Sequence, residues 1–244
     1  MKQFTLSVLL PVLWFFGLLF CAGCQNEVQY NEAEIQATTE KVREAYFLRD
    51  FEGGAALGSR WAKRVPNAFE LRAWTVQNLA RDEQVEAAII EAEKMLKAEV
   101  ENPWSWFAMA AALNWHRERG KEALEASEKA FNAKPNHPDF IWLRAETIRR
   151  QDSNSAAIAF IDEQISKMEN PAELLTVKAV AQYNLSLDKN RKRDQAKVAK
   201  ALTTFAQARE LDTLNLNAHF LAGANLVQIR RFEEAYSLLK KAIV

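Results

Sequence analysis

Residues 217–243 read NAHFLAGANLVQIRRFEEAYSLLKKAI, and this stretch decides the fold class. It contains two amphipathic helical patterns joined by a very short turn. In both halves apolar residues recur at steps of three and four, which places an apolar stripe along one side of each helix. Gly223 and Ala235 are small enough to let the two helices approach closely. Because one such hairpin cannot bury its own apolar face, the sequence predicts that it stacks on others like it.

The rest of the chain supplies further hairpins, separated by proline. Pro66, Pro103, Pro135 and Pro171 mark boundaries at steps of 37, 32 and 36 residues. A residue that precedes proline disfavours the helical conformation, so helices end near these positions. The predicted helix pairs are 31–49 with 51–65, 68–81 with 83–98, 104–118 with 120–133, 138–151 with 153–168, 172–186 with 192–211, and the two halves of 217–243.

A recurring triplet connects these hairpins: a small residue, a small or bulky residue four positions later, and alanine three positions after that. The triplets are Ala123, Ser127 and Ala130; Ala201, Phe205 and Ala208; and Ala235, Leu239 and Ala242. The pattern resembles the second helix of a tetratricopeptide repeat (TPR), whose period is 34 residues. The resemblance covers roughly residues 31–244 and is weak before residue 66. It implies an all-α, right-handed superhelical solenoid of about six antiparallel helix pairs, whose first helices line a groove that holds an extended or helical peptide.

The first 24 residues resemble a bacterial lipoprotein signal. Lys2 precedes an apolar run, and Cys21-Ala22-Gly23-Cys24 resembles a lipobox, although Cys21 stands where that family usually has leucine. The resemblance implies a signal peptide over 1–23, acylation of Cys24, a lipid-anchored polar tether over 24–35 and a repeat domain over 36–244. A plain signal peptide or an uncleaved anchor is the alternative. The predominantly apolar run Phe4–Phe20, 17 residues long, is at the short limit for crossing a bilayer. Gln25 implies, by the same resemblance, an outer membrane facing the periplasm.

Composition narrows the functional classes. The 32 basic and 32 acidic residues cancel, so no long-range field attracts nucleic acid. The C-x-x-C formed by Cys21 and Cys24 is interpreted as coincidence inside a cleaved segment. No catalytic motif is present, and His116, His137 and His219 lie in different repeats without metal-binding spacing. The expectation is a non-enzymatic protein without metal or cofactor.

The TPR resemblance implies a set of groove residues on the first helices. They are Trp106, Met109, His116, Arg117, Trp142, Arg149, Arg150, Phe220 and Gln228. Arginine forks suit carboxylates, and indole faces suit apolar groups or cations. The alternative is that the tryptophans belong to the core and the arginines are solvated.

A second candidate surface is a basic segment between the helices of the fifth pair. Its residues are Lys189, Arg191, Lys192, Arg193 and Lys197. Such a patch suits anionic lipid or an acidic partner, or it is a solvated loop.

Two functional hypotheses follow. The first is a lipid-anchored TPR scaffold at the bacterial cell envelope that binds other proteins or peptides, but not nucleic acid. The second is an accessory region of a longer protein, with a catalytic or redox module beyond residue 244. We expect Leu238, Leu239 and Ile243 to lack cover on one side. Either the last helix packs against a partner chain, or the sequence is a piece of a longer protein, and the second hypothesis is favoured.

Overall fold

A computed structural model of the chain describes residues 30–242. The predictions for the signal segment, for Cys24 and for Ile243 lie outside the described residues. All contacts reported below lie within one compact unit that begins at Ala33. Residues 30–242 form twelve α-helices and no strand, with one isolated antiparallel bridge between Leu187 and Arg193.

The predicted all-α class is therefore confirmed for this part of the chain. The helices are α1 Glu32–Phe47, α2 Phe51–Ala62, α3 Phe69–Arg81, α4 Val85–Ala98, α5 Pro103–Leu113, α6 Gly120–Ala133, α7 Pro138–Gln151, α8 Asn154–Ile165, α9 Ala172–Asn184, α10 Gln195–Leu211, α11 Leu216–Gln228 and α12 Phe232–Lys241.

Several helices begin at residues that satisfy the free N–H groups of the first turn. The Asn102 side chain accepts a hydrogen bond from the Trp104 backbone N–H at 3.0 Å, and Pro103 occupies the first position of α5. Asp194 caps α10 in the same way, and Asn215 caps α11. Since proline lacks the N–H that a helix start leaves unpaired, Pro103 fits the start of α5. Pro171 directly precedes α9, and Pro66 and Pro135 lie in the turns before α3 and α7.

From α3 onward the helices pack as stacked hairpins. The pairs are α3 with α4, α5 with α6, α7 with α8, α9 with α10, and α11 with α12. Each second helix also packs on the next first helix, and the first helices pack on one another in the order α3, α5, α7, α9, α11. Contacts between neighbours alone are typical of a repeat protein. The hand of the superhelix stays a prediction.

The small residues of α2 allow a close approach to α3. A Cβ built at Gly54 would lie 2.6 Å from the Asn78 amide, and one at Gly58 would meet the Thr75 hydroxyl. These glycines therefore serve helix packing.

The first helix differs from its predicted arrangement. The segment 31–49 is helical as expected, but among residues 30–242 α1 runs alongside none of the other helices, including α2. The first of the six predicted pairs is not formed, and α1 has another location.

The last helix is only partly covered. Phe232 and Tyr236 are 60% and 67% exposed, whereas Leu239 packs against Gly223. Within the described range, no helix has the length and apolarity needed to cross a bilayer.

Candidate functional site

The helix α1 lies across a surface formed by α3, α7, α9 and α11, which we call the groove. An aromatic cluster forms its centre. Tyr46 and Phe47 of α1 each lie 5.4 Å, between ring centroids, from Trp142 of α7. Phe47 lies 5.7 Å from Trp74 of α3, and the two indoles stack at 5.9 Å. Each such pair contributes about 0.5–1.5 kcal/mol beyond its buried area, so these rings hold the C-terminal half of α1 in place.

Polar contacts fix the same helix at two further points. The Arg43 guanidinium donates to both carboxylate oxygens of Asp139 in α7, with Nη2 to Oδ1 at 2.8 Å and Nε to Oδ2 at 3.2 Å. Asp139 is buried, and Arg43 is partly exposed. The Asn78 side chain of α3 donates to the Val42 carbonyl at 2.9 Å. Burial disfavours the charged form of Arg43, but Asp139 overcomes this and raises the arginine pKa.

A cavity of about 800 Å³ opens on the side of α1 where α7 and α9 begin. Its wall includes Asp139 and Glu173, which lie in the first turns of these two helices. Negative charge there is favoured by the helix dipole. Burial raises the pKa of Glu173 to about 7, against the opposing effects of a hydrogen bond from Asn217 and the charge of Arg43. Glu173 is therefore the groove carboxyl that titrates near neutral pH.

A smaller cavity of about 210 Å³ lies on the opposite side of α1 and is rich in arginine. Among the residues that line this cavity, Glu146 carries the one carboxylate. The arginines that line it are Arg49, Arg81, Arg149 and Arg150. Arg149 makes a bidentate contact to Glu146 at 2.6 and 2.8 Å. Burial would raise the pKa of Glu146, but the charges of Arg149 and Arg150 dominate and lower it. Four arginines thus line this cavity, and two of them, Arg149 and Arg150, pair with its carboxylate.

The remaining arginines of this cavity stack on aromatic rings. The guanidinium carbon of Arg150 lies 3.4 Å from the Trp115 ring centroid, and that of Arg81 lies 4.1 Å from the same ring. Arg49 lies 4.1 Å from the Phe220 ring of α11. Over the described range, no carboxylate forms an ion pair with Arg49 or Arg81. These two cations remain available to an anionic group that enters the cavity.

The structure brings together four of the predicted groove residues: Trp142, Arg149, Arg150 and Phe220. The others lie elsewhere. The Trp106 indole donates to the Val100 carbonyl at 2.8 Å and lies beneath Lys129 of α6, so it packs at the side of the stack.

The other four predicted groove residues lie in three different parts of the structure. Met109 is buried in the main core. His116 and Arg117 lie in the turn after α5, where His116 Nδ1 accepts from the Glu118 N–H at 3.3 Å. Gln228 lies at the end of α11 and accepts from Arg193 at 3.1 Å.

Residues 189–193 of the predicted basic segment lie in an ordered loop between α9 and α10, and Lys197 lies in the first turn of α10. Asp188 accepts from the backbone N–H groups of Asn190 and Lys192, both at 2.8 Å. Arg193 donates to the Tyr183 carbonyl, to Ser186 and to Gln228, and stacks on the Tyr183 ring at 3.9 Å. Arg193 therefore has a structural role. The members that stay exposed are Lys189, Arg191, Lys192 and Lys197.

Sequence reasoning missed the groove residues contributed by α1, together with Arg81 and Trp115. One signal was available: the TPR resemblance is weak before residue 66, where Arg43, Tyr46 and Phe47 occur. Residues 30–242 contain no cluster of three or more His, Cys, Asp or Glu side chains that could hold a metal ion.

Comparisons with known proteins bear on the fold. No protein-family model matches the chain, and no curated protein matches it. Among solved structures, a TPR protein of Thermus thermophilus, TTC0263, superposes with a TM-score of 0.60 at 16% identity, covering 79% of this chain and 99% of that one. Human IFIT1, solved as a dimer with PPP-AAAA, gives a TM-score of 0.57 at 15% identity, covering 79% of this chain and 46% of that one.

At these identities the similarity shows the fold alone. The described residues have the all-helical fold of TPR proteins.

Proposed function

We propose that this chain is a non-enzymatic scaffold that binds other proteins or peptides through the groove. The observation that carries the proposal is that the groove already holds a polypeptide helix, α1. Its aromatic floor, formed by Trp74 and Trp142, has the shape and chemistry to take apolar side chains. Binding an amphipathic helix in an apolar groove is a common mode of protein recognition.

The charges at the two sides of the groove give the proposed partner an orientation. Acidic side chains, including Asp139 and Glu173, lie where α7 and α9 begin, and the arginine-rich cavity lies where α7 ends. A partner with a basic group at the first side and a carboxylate at the second meets complementary charge. Arg49 and Arg81 are the cations that such a carboxylate would reach.

We further propose that the mature protein is lipid-anchored through Cys24 at the bacterial cell envelope, facing the periplasm. The support is the resemblance of Cys21–Cys24 to a lipobox. Mass spectrometry of the mature N-terminus should find an acylated Cys24. A mature chain that starts at another residue, or carries an unmodified Cys24, would exclude this anchor.

Photo-crosslinking tests the groove directly. A photoreactive residue at Val180, which lines the smaller cavity, should form adducts with a protein partner in membranes of the source organism. The same photoreactive residue placed at Ile90, which is 52% exposed on α4 outside the groove, should form no such adducts. Equal adducts at both positions, or none at Val180, would argue against a binding groove.

A charge reversal sharpens the same experiment. Arg81→Glu should abolish the Val180 adducts, because it replaces an unpaired groove cation with an anion. Arg117→Glu makes the same change at an exposed turn outside the groove and should leave the adducts unchanged. Equal amounts of Val180 adduct in both variants would show that Arg81 does not contribute to the binding site.

A further inference from the structure

The helix α1 is connected to the stack differently from every other helix. It joins α2 through Leu48, Arg49 and Asp50, and Arg49 has a left-handed backbone with φ of 64°. Among residues 30–242, α2 and the later helices pack on one another without it. The helix-to-helix packing of the stack therefore does not pass through α1, whose Val42 side chain is buried against the main core.

The fit of α1 to the groove is uneven along its length. Arg43 forms an ion pair with Asp139. The rings of Tyr46 and Phe47 pack against the indole of Trp142. Just beyond the C-terminal end of the helix, Arg49 lies in the cavity that already contains the unpaired Arg81. Burial and the charge of Arg81 lower the pKa of Arg49. The occupant is therefore held at its centre and opposed by like charge at its C-terminal end.

We infer that α1 is a built-in, displaceable occupant of the groove, and that the partner is an amphipathic helix that repeats its central contacts and reverses its mismatched charge. Such a helix carries arginine at the position of Arg43 and aromatic residues three and four positions later. It has an acidic residue in place of Arg49. This inference rests on the proposed function, because it assigns the partner of the same groove.

The covalent link gives α1 an advantage that the partner must overcome. A segment joined by a short linker acts at an effective concentration on the order of millimolar. A free peptide with the α1 sequence therefore competes poorly with α1 itself. Binding in trans becomes measurable once the linked helix is weakened, or once the peptide is a better match.

The first test uses the full chain and a fluorescently labelled synthetic peptide of residues 31–50. Arg43→Asp in the chain removes the ion pair and places a carboxylate beside Asp139, which should release α1. The peptide should then bind roughly tenfold or more tightly than it binds the wild type. Lys41→Glu is the matched control, because Lys41 is an exposed residue of the same helix and its reversal should leave α1 in place.

A charge exchange shows whether the peptide binds where α1 does. A peptide that carries Arg43→Asp should not bind a chain released by Phe47→Ala. Asp139→Arg in that chain, which also repels the chain's own Arg43, should restore its binding. The peptide with Arg49→Glu should bind more tightly than the unmodified one by about tenfold. If circular dichroism shows that Arg43→Asp loses helix throughout, Phe47→Ala replaces it as the releasing variant.

Three results would overturn the inference: no saturable binding to the released chains, equal binding to wild type and released chains, or indifference to the charge exchange. A wild-type dimer that Lys41→Glu retains and Arg43→Asp loses would assign the groove to α1 of a second copy, and the inference would also fail. Crosslinking at Val180 reports separately on the proposed function. Adducts there without peptide binding would mean that the groove has partners but α1 does not mimic them.

Discussion

Glu173 shows at the residue scale how the groove combines burial with charge. Its carboxyl lies in the first turn of α9, near Asn217 and the charge of Arg43, and burial nevertheless raises its pKa from 4.5 to about 7. Between these two values the folded protein binds a proton that the unfolded chain has released. The contribution of this group to stability therefore falls as pH rises from about 5 to 8.

Glu173→Gln should reveal this contribution. Because glutamine cannot ionise, the variant should match the wild type near pH 5 and be more stable than it at pH 8, by about 1–3 kcal/mol. Urea unfolding at both pH values measures the difference. Glu169→Gln, at an exposed position on the rim of the same cavity, should show no such dependence. An equal effect of Glu173→Gln at both pH values would contradict the assignment.

Gly223 is the residue on which the last pair depends. A Cβ built there would lie 2.7 Å from the Leu239 side chain and 3.4 Å from the Ala235 carbonyl oxygen. Gly223→Leu should separate α11 from α12 and destabilise the protein by more than about 1 kcal/mol. Gly223→Ala should cost less, because the Leu239 side chain can shift. Thermal unfolding followed by circular dichroism compares them, and identical melting curves would show that the two helices are not in close contact here.

At the scale of elements, the loop between α9 and α10 depends on one of its basic residues. Arg193 donates to Tyr183, Ser186 and Gln228, whereas Lys192 is exposed. Arg193→Ala should destabilise the protein by about 1–3 kcal/mol, because it leaves the Ser186 hydroxyl and the Tyr183 carbonyl without this donor. Lys192→Ala should change stability by less than about 0.5 kcal/mol. Equal denaturation midpoints for both variants would indicate that Arg193 is solvated like Lys192 and does not stabilise the loop.

The sequence predicts helices well where local signals agree. Asn102 and Pro103 fix the start of α5, and the small residues Gly223 and Ala235 fix the last pair. It predicts side-chain direction less well. The TPR resemblance places Trp106 in the groove, whereas its indole bonds to the Val100 carbonyl. A shift of one position around a helix turns a side chain by about 100°, and the repeat register does not resolve such shifts.

The position of α1 could not be predicted from local pattern. Its segment is helical, as periodicity indicated, but Arg43 pairs with Asp139, which is 96 residues away, and Arg49 reaches Phe220 still further along the chain. Periodicity reports which side of a helix is apolar, and it does not report what covers that side. The Arg43–Asp139 pair and the aromatic floor become visible only once the repeats are stacked.

At the scale of the whole molecule, the stack of α2–α12 supplies a framework and α1 fills the surface that it creates. In repeat proteins, stability is a sum of contributions from neighbouring repeats. The stack does not include α1, so local opening of α1 need not unfold the repeats. A groove that opens and closes in this way can exchange its own helix for a partner.

Hydrogen exchange of the intact chain shows whether α1 leaves the groove while the repeats stay folded. We expect the amides of residues 36–47 to be protected in the wild type and in Lys41→Glu. In Arg43→Asp, protection should be lost in α1 while α3–α12 keep theirs. Unprotected α1 amides in the wild type, or a loss in Arg43→Asp that spreads through the repeats, would contradict the role of α1 as a displaceable occupant.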